Sequence, residues 1–288
     1  MERHSRSYLQ LIKPGITLSN TLSAVAGFFL AASLAPFSIW AFIGGIFGTA
    51  LIIASACVVN NVLDRDIDQR MKRTVKREVA KGSISVPKAL AYATVLGVAG
   101  FALLLAWTNM LTFSLGLLAY VWYVLIYAVA KRTTPLSTLV GGVPGALPPV
   151  AGYTALSGVI DGGALALFLI LFFWQLPHFY AIGIFRREDY EKAGLPIWSV
   201  KYGLESTRRQ IFMYIVLFAI ATVLLTVWGY TGIIYLILSL GLSGYWVYKA
   251  IVLYKKIDPI KWSKAMFGIS LLVLLLILFF IAIGGFLP

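Results

Sequence analysis

Apolar stretches long enough to cross a membrane recur along almost the whole of this 288-residue chain. A transmembrane helix needs about 20 consecutive, mostly apolar residues. Nine segments meet that demand, over roughly 15–33, 38–60, 89–107, 110–130, 136–156, 164–184, 211–229, 231–248 and 265–287. Composition agrees: 60% of residues are hydrophobic and 12% charged, against roughly half and a quarter in soluble domains. The 26 Gly and 11 Pro are dispersed within apolar runs, which excludes low-complexity disorder. A single cysteine, Cys57, excludes a disulfide framework and a cysteine-based zinc site. The expected fold class is therefore an all-α integral membrane protein with nine transmembrane helices. It forms one polytopic domain over residues 1–288. The fifth segment carries Gly141, Gly142, Pro144, Gly145, Pro148 and Pro149. Helix-breaking residues of this kind are tolerated in a bundle where neighbours re-satisfy the backbone, often beside a cavity.

The charges fix an expected orientation. Three Lys or Arg precede the first span, eight follow the second, two the fourth, six the sixth and five the eighth, so all 24 fall on one face. Basic residues gather in cytoplasmic loops. The N-terminus is thus expected inside and the C-terminus outside. The net charge of +13 is then explained by a lipid bilayer and needs no nucleic acid. The first apolar run has no convincing small-residue cleavage site and is read as a span, not a signal peptide. With no Arg-rich transit peptide before it, a prokaryotic cytoplasmic (inner) membrane is the expected location.

Of the 11 acidic residues only Asp161 is expected on the outer face. The first cluster is Asn60-Asn61-Val62-Leu63-Asp64-Arg65-Asp66-Ile67-Asp68, where the second span emerges inside. If the helix continues, Asn60, Asp64 and Asp68 form one stripe, about 6 Å apart along the axis and within a fan of about 80°. Asp66 points roughly the opposite way. A line of oxygen-bearing side chains suits a hard cation such as Mg²⁺, which is often held by one or two carboxylates plus substrate phosphates. Arg65, Arg70, Arg73, Lys76 and Arg77 follow at once and suit phosphate oxygens. An ordinary positive-inside loop with local ion pairs explains the basic residues taken singly. It explains Asn60 poorly, because a polar residue at the end of an apolar span is costly.

The second cluster, Arg186-Arg187-Glu188-Asp189-Tyr190-Glu191-Lys192, follows the sixth span. Helical spacing pairs Arg187 with Glu191 and Glu188 with Lys192 as structural ion pairs. Asp189 has no such partner. It falls in line with Trp174, His178 and Ile182 on one helical face. His178 is the one histidine inside a span, which makes it a functional candidate. The alternative is a neutral histidine hydrogen-bonded across the bundle. His4, in the basic N-terminus, reads as a solvated bystander.

These residues resemble the UbiA superfamily of intramembrane prenyltransferases. Its first signature is N-x-x-x-D-x-x-x-D after the second helix, with a second acidic motif after the sixth. The resemblance covers the whole chain and is strongest to the superfamily's haem-modifying branch. It rests on NNVLDRDIDQRMKRTVKR, WQLPHFYAIGIFRREDYEKAGLP, KPGITLSN and GALPPVAGY. Most superfamily members carry an Asp four residues after the first in the second motif. Here that place is Ala193, as in the haem branch. The chain departs from the branch at Glu188, at Glu78 and at Trp198-Ser199-Val200.

The resemblance implies a helical bundle around a central cavity, with active-site loops at about 61–88 and 185–210. It implies transfer of farnesyl from farnesyl diphosphate to a vinyl group of haem B, with water addition, giving haem O and diphosphate. Asn60, Asp64, Asp68 and Asp189 would be the catalytic residues and ligands of Mg²⁺. Arg65, Arg73, Arg77, Lys131 and Arg186 would bind the diphosphate. His178, as a positioning group or axial ligand, and Trp174 would contact the haem. Tyr120, Tyr123, Tyr127, Trp174 and Tyr180 are candidates to shield and stabilise the farnesyl cation. A terminal oxidase assembly or a haem A synthase would take the product. Two other readings share some features: a UbiA-type transferase acting on a quinone precursor or a lipid, and a transporter. Ala193-Gly194 and the W-Q-x-P-H string oppose the first. The absence of a mid-span carboxylate opposes the second.

Overall fold

In the computed structural model residues 2–288 are described, with the side chains of residues 2–6 excepted. Arg3, His4 and Arg6 therefore lie outside the described side chains. A short helix, α1 (Glu2–Leu11), precedes α2 (Pro14–Ala32) and α3 (Ile39–Leu63). After the short α4 (Arg65–Arg70) come α5 (Val86–Trp107) and α6 (Met110–Val121). α6 runs through a π-helical stretch, Trp122–Tyr127, into α7 (Ala128–Thr133). Next are α8 (Ser137–Gly145), α9 (Leu147–Ser157), α10 (Gly162–Phe185) and the short α11 (Arg187–Lys192). The chain ends with α12 (Trp198–Val227), α13 (Ile233–Tyr254) and α14 (Pro259–Gly284).

Among the described residues, eight helices are long and apolar enough to cross a membrane. The expected span at 136–156 is the exception, because it is divided into α8 and α9. Pro144 cannot donate to the Val140 carbonyl, which would otherwise lack a partner. The Trp122 indole Nε1 donates to it instead, at 2.9 Å. Gln175 of α10 donates to the Gly142 carbonyl at 2.8 Å. The helix break is thus sealed by side chains from two neighbours, as a membrane interior requires.

Several helix starts are set by side-chain caps. Ser38, Asn109, Asp161 and Asp258 each accept a hydrogen bond from the first turn of α3, α6, α10 and α14. The helices form a closed ring in which α14 packs back on α2. Two of them, α2 and α9, meet backbone to backbone. A Cβ on Gly27 would lie 1.9 Å from the Pro149 carbonyl oxygen, and one on Gly152 would lie 1.9 Å from that of Ala24. Only glycine permits this approach, the usual device for close packing in a bilayer. The seventh helix begins earlier than its apolar signal. α12 starts at Trp198, with a kink at Gly203 (φ 81°), so Lys201, Arg208 and Arg209 lie on a helix and not in a loop.

Candidate active site

The first acidic motif sits where α3 gives way to α4. Asp64 is the hinge (φ −90°, ψ 5°). The turn pattern survives it: the Asp64 amide donates to the Asn60 carbonyl at 2.9 Å, and that of Asp68 to the Asp64 carbonyl at 2.8 Å. Asn60, Asp64 and Asp68 therefore stay on one side and are 3%, 4% and 2% exposed. Asp66 points away, as the spacing requires. It takes two 2.8 Å hydrogen bonds from the exposed Arg132 guanidinium. Those bonds hold its carboxyl down at about 2.

Each buried member of the stripe has a cationic partner. Lys131 is ion-paired with Asp64 Oδ2. Arg77 Nη1 donates to both oxygens of Asp68 at 2.8 Å. Lys13 Nζ donates to Asn60 Oδ1 at 2.7 Å. Two buried polar atoms in the stripe have no partner, Asp64 Oδ1 and Asn60 Nδ2. A buried carboxylate oxygen without a donor is costly and points to a cation or ligand.

Lys13 is a residue that sequence reasoning did not select. It adopts φ 51° at the N-cap of α2, the one non-glycine residue with positive φ among the described residues. That conformation costs about 1–2 kcal/mol. Such strain concentrates at functional sites. Burial lowers the Lys13 ammonium to about 8, with the nearby Arg77 and Lys131 adding to the effect. A lone lysine directly before Pro14-Gly15 at the inner end of an apolar span was the available signal.

The second acidic motif reaches the same place. Ile67 and Met71 share one apolar cluster with Ala193, Leu195 and Ile197, joining the segment after α3 to the segment after α10. Ala193 is thus a packing residue. Asp189 is buried, with no side-chain hydrogen bond among the described residues. Beside it, burial pushes the Tyr190 phenol up, and Arg73, Arg77, Asp189 and Arg186 all act on that phenol electrostatically. The expected pairs Arg187–Glu191 and Glu188–Lys192 do not form among the described residues. Arg187 Nε is instead buried without a partner. α10 stops at Phe185 and the chain turns at Arg186 (φ −113°) before α11 resumes; all four residues fall inside α11, so their spacing is kept and only their side chains fail to meet. Glu78 is buried and held by Lys81 and Ser83. It clamps the loop between α4 and α5 and takes no part in the cavity wall.

A cavity of about 560 Å³ opens from this cluster into the bundle. Asn60, Asp64, Asp68, Lys13, Arg73, Arg77 and Lys131 line its polar end. Arg73 makes no ion pair among the described residues. Arg65 and Arg186 do not line the cavity, which corrects the expectation for both. Arg65 follows Asp64 by one residue, so it turns about 100° from the stripe, and both side chains are exposed. Asp189 is not among the residues that line the cavity, although its neighbour Tyr190 is.

The deeper walls are apolar and aromatic, including Ile52, Ile53, Leu271 and Leu274. All five expected aromatic residues, Tyr120, Tyr123, Tyr127, Trp174 and Tyr180, line the cavity. Tyr123 and Tyr127 stack at 5.4 Å, and the π-helical stretch that carries both was not legible in the sequence. Gly141 leaves room for Tyr127, since a Cβ there would lie 2.7 Å from its ring. On the α10 wall His178 and Trp174 stack at 5.2 Å. His178 is hydrogen-bonded across the bundle to Ser270, as the structural alternative anticipated.

The arrangement is an anionic stripe matched by cations at the mouth of an apolar, aromatic slot. Among the described residues no three His, Cys, Asp or Glu side chains converge to hold an ion unaided. Asp64 and Asp68 nevertheless suit Mg²⁺, which needs few carboxylates when a substrate supplies phosphate oxygens. The chain is similar to known proteins over most of its length. The UbiA prenyltransferase family matches residues 20–284. A protoheme IX farnesyltransferase from Pseudomonas savastanoi pv. phaseolicola is 44% identical over 267 residues, 92% of this chain and 90% of the relative. One from Citrobacter koseri is 43% identical over 268 residues, 93% and 90% of the two chains. Among solved structures, a digeranylgeranylglyceryl phosphate synthase superposes with a TM-score of 0.81 at 19% identity, covering 99% of both chains. A UbiA homologue from Archaeoglobus fulgidus bound to GPP and Mg²⁺ superposes with a TM-score of 0.68 at 19% identity, covering 96% of this chain and 99% of that one. At that identity the structural likeness shows the fold.

Proposed function

Because the chain belongs to the UbiA prenyltransferase family, we propose that it transfers farnesyl from farnesyl diphosphate to a vinyl group of haem B, with addition of water. The products are haem O and diphosphate. It is a multi-pass membrane protein and a prenyl transferase. The shared name of relatives that are 44% identical over 92% of the chain supports the donor and acceptor. The assignment is carried by one observation, a buried Asp64–Asp68 pair with a free Asp64 Oδ1 at the mouth of an aromatic cavity.

The leaving group is a polyanion, and its departing charge must be stabilised. Asp64 and Asp68 would hold Mg²⁺ with the diphosphate oxygens, and Asp189 would stand behind them. The metal, when bound, neutralises charge on the leaving group. Lys131, Arg77 and Lys13 neutralise the stripe until substrate arrives. They then turn to the phosphate oxygens, together with the unpaired Arg73. Asn60 Oδ1 is engaged by Lys13, so its ligation of a metal requires that lysine to move onto the phosphate; its Nδ2, which has no partner, would be free to donate to a phosphate oxygen.

The C1–O bond of the farnesyl diphosphate breaks with its electron pair going to the diphosphate. The terminal carbon of the haem vinyl group bonds to C1. Positive charge passes to the vinyl carbon beside the macrocycle, where water adds and loses a proton. The faces of Tyr120, Tyr123, Tyr127, Trp174 and Tyr180 stabilise the transient cations and keep water from the farnesyl group. His178 and Trp174 contact the haem on the α10 wall. The polar mouth faces the cytoplasm of a prokaryote, the chain lies in its inner membrane, and a terminal oxidase assembly or haem A synthase receives the product.

Product analysis tests the assignment. Membranes containing the chain are incubated with haem B, farnesyl diphosphate and Mg²⁺, and the haem is examined by chromatography and mass. A haem that gains a hydroxyethylfarnesyl group, and fails to gain it with EDTA, is expected. Unmodified haem from folded protein would overturn the acceptor.

A further inference from the structure

We propose that His178 binds the iron of the haem substrate through Nε2, and that Ser270 fixes the imidazole tautomer that makes this possible. The inference rests on the haem assignment above and names the atom that meets the substrate. His178 Nδ1 lies 2.8 Å from Ser270 Oγ. Ser270 Oγ lies 2.6 Å from the Phe267 carbonyl oxygen and donates to it. A hydroxyl has one proton, and a carbonyl only accepts. Ser270 has therefore spent its proton on Phe267 and must accept from His178. Nδ1 carries the imidazole proton, and Nε2 is left with a lone pair.

That nitrogen is free. Among the described residues it has no hydrogen-bond partner, and it is not sealed in the protein interior. His178 lines the same cavity as Leu271 and Leu274. The ring is also held among aromatic side chains. Trp174 stacks on it at 5.2 Å and 26°, and Phe267 at 4.8 Å and 32°. Trp174 is in turn anchored by its Nε1, which donates to the Ser270 carbonyl at 2.8 Å. Ser270 thus holds the imidazole through its side chain and the stacked indole through its main chain. Metal-ligating histidines almost always donate their second nitrogen to a fixed acceptor, which sets the tautomer and the ring orientation. Neutral imidazole is a common axial ligand of haem iron.

The test is spectroscopic and omits farnesyl diphosphate. The purified full-length chain, free of any histidine tag, is titrated with haem B. Saturable binding with the absorption bands of a histidine-ligated haem is expected. The ferrous nitrosyl complex should show superhyperfine splitting from a trans nitrogen, altered by nitrogen-15 labelling of histidine. The chain has two histidines. The pattern should survive His4→Ala and vanish in His178→Ala, a variant whose Mg²⁺-dependent binding of farnesyl diphosphate reports its folding. Ser270→Ala should weaken haem binding roughly 10–100-fold and lower the iron–histidine stretching frequency. Ser270→Thr, which keeps the hydroxyl, should restore both. Saturable haem binding without a histidine splitting in the wild-type chain would overturn the inference, as would a labelled pattern that persists in His178→Ala. A chain that binds farnesyl diphosphate but no haem would overturn the acceptor assignment itself.

Discussion

Replacing Asp64 by Asn removes one charge and almost no volume. The side chain is 6% exposed and its partner Lys131 13% exposed, so solvent screens neither well. The variant keeps an oxygen to accept from Lys131. A charge-assisted hydrogen bond becomes an ordinary one, a loss of about 1–2 kcal/mol. That is small against a typical stability of about 5–15 kcal/mol, so the protein should still insert and fold. Catalysis should suffer more. Removing one preorganised electrostatic stabiliser typically costs about 100- to 1000-fold in kcat, about 2.7–4 kcal/mol. Asp66→Asn, two residues away, is the control. Its carboxylate is 52% exposed and Arg132 is 39% exposed, and surface pairs are worth about 0–1 kcal/mol. Initial rates of diphosphate release at saturating haem B and farnesyl diphosphate would separate the two. Asp64→Asn should fall by at least about 100-fold while Asp66→Asn stays near wild type. Near-wild-type turnover in Asp64→Asn, or equal losses in both, would refute the assignment of the buried stripe.

Three further outcomes are expected. Lys13→Gly keeps the left-handed turn at no steric cost, so a rise in the KM for farnesyl diphosphate would report the missing ammonium alone. Trp122→Phe leaves the Val140 carbonyl unpaired at a cost of about 1–3 kcal/mol; the apparent Tm in detergent should drop, whereas the exposed Trp107→Phe should not change it. The Asp66 carboxyl, held at about 2 by hydrogen bonds from Arg132, lies below its unfolded value of about 3.9. Its small contribution is therefore full above that value and lost as pH falls through about 2. The Tm difference between wild type and Asp66→Asn should be flat from about pH 8 to about pH 5, shrink from about pH 4 downward and vanish near about pH 2.

Much of this was legible in the sequence, for identifiable reasons. Apolar length alone located most of the spans, because lipid demands it. The four-residue spacing of Asn60, Asp64 and Asp68 survived the hinge at Asp64, because the turn hydrogen bonds continue through it. What the sequence hid depends on distant partners. The π-helical stretch at Trp122–Tyr127 is tied to the Val140 carbonyl that Pro144 leaves free. Lys13 gains its role from the fold that brings it to Asn60, 47 residues later. Arg65 and Arg186 looked equivalent to Arg73 and Arg77 in charge; the helical spacing already turns Arg65 away from the stripe, whereas Arg186 sits at a helix end that the sequence did not announce. The Ser270 partner of His178 is 92 residues away and carries no local signal.

The central claim is that the Asp64–Asp68 end of the cavity receives the prenyl diphosphate and its metal. An anomalous difference map of the chain crystallised with Mn²⁺ and a farnesyl thiodiphosphate analogue tests it most directly. The account predicts one metal peak beside Asp64 Oδ1, shared with the diphosphate, Lys131 released from Asp64, and the prenyl chain running toward His178. A diphosphate bound instead on the outer surface near Arg65 or Arg186, with the Lys131–Asp64 pair intact, would contradict it.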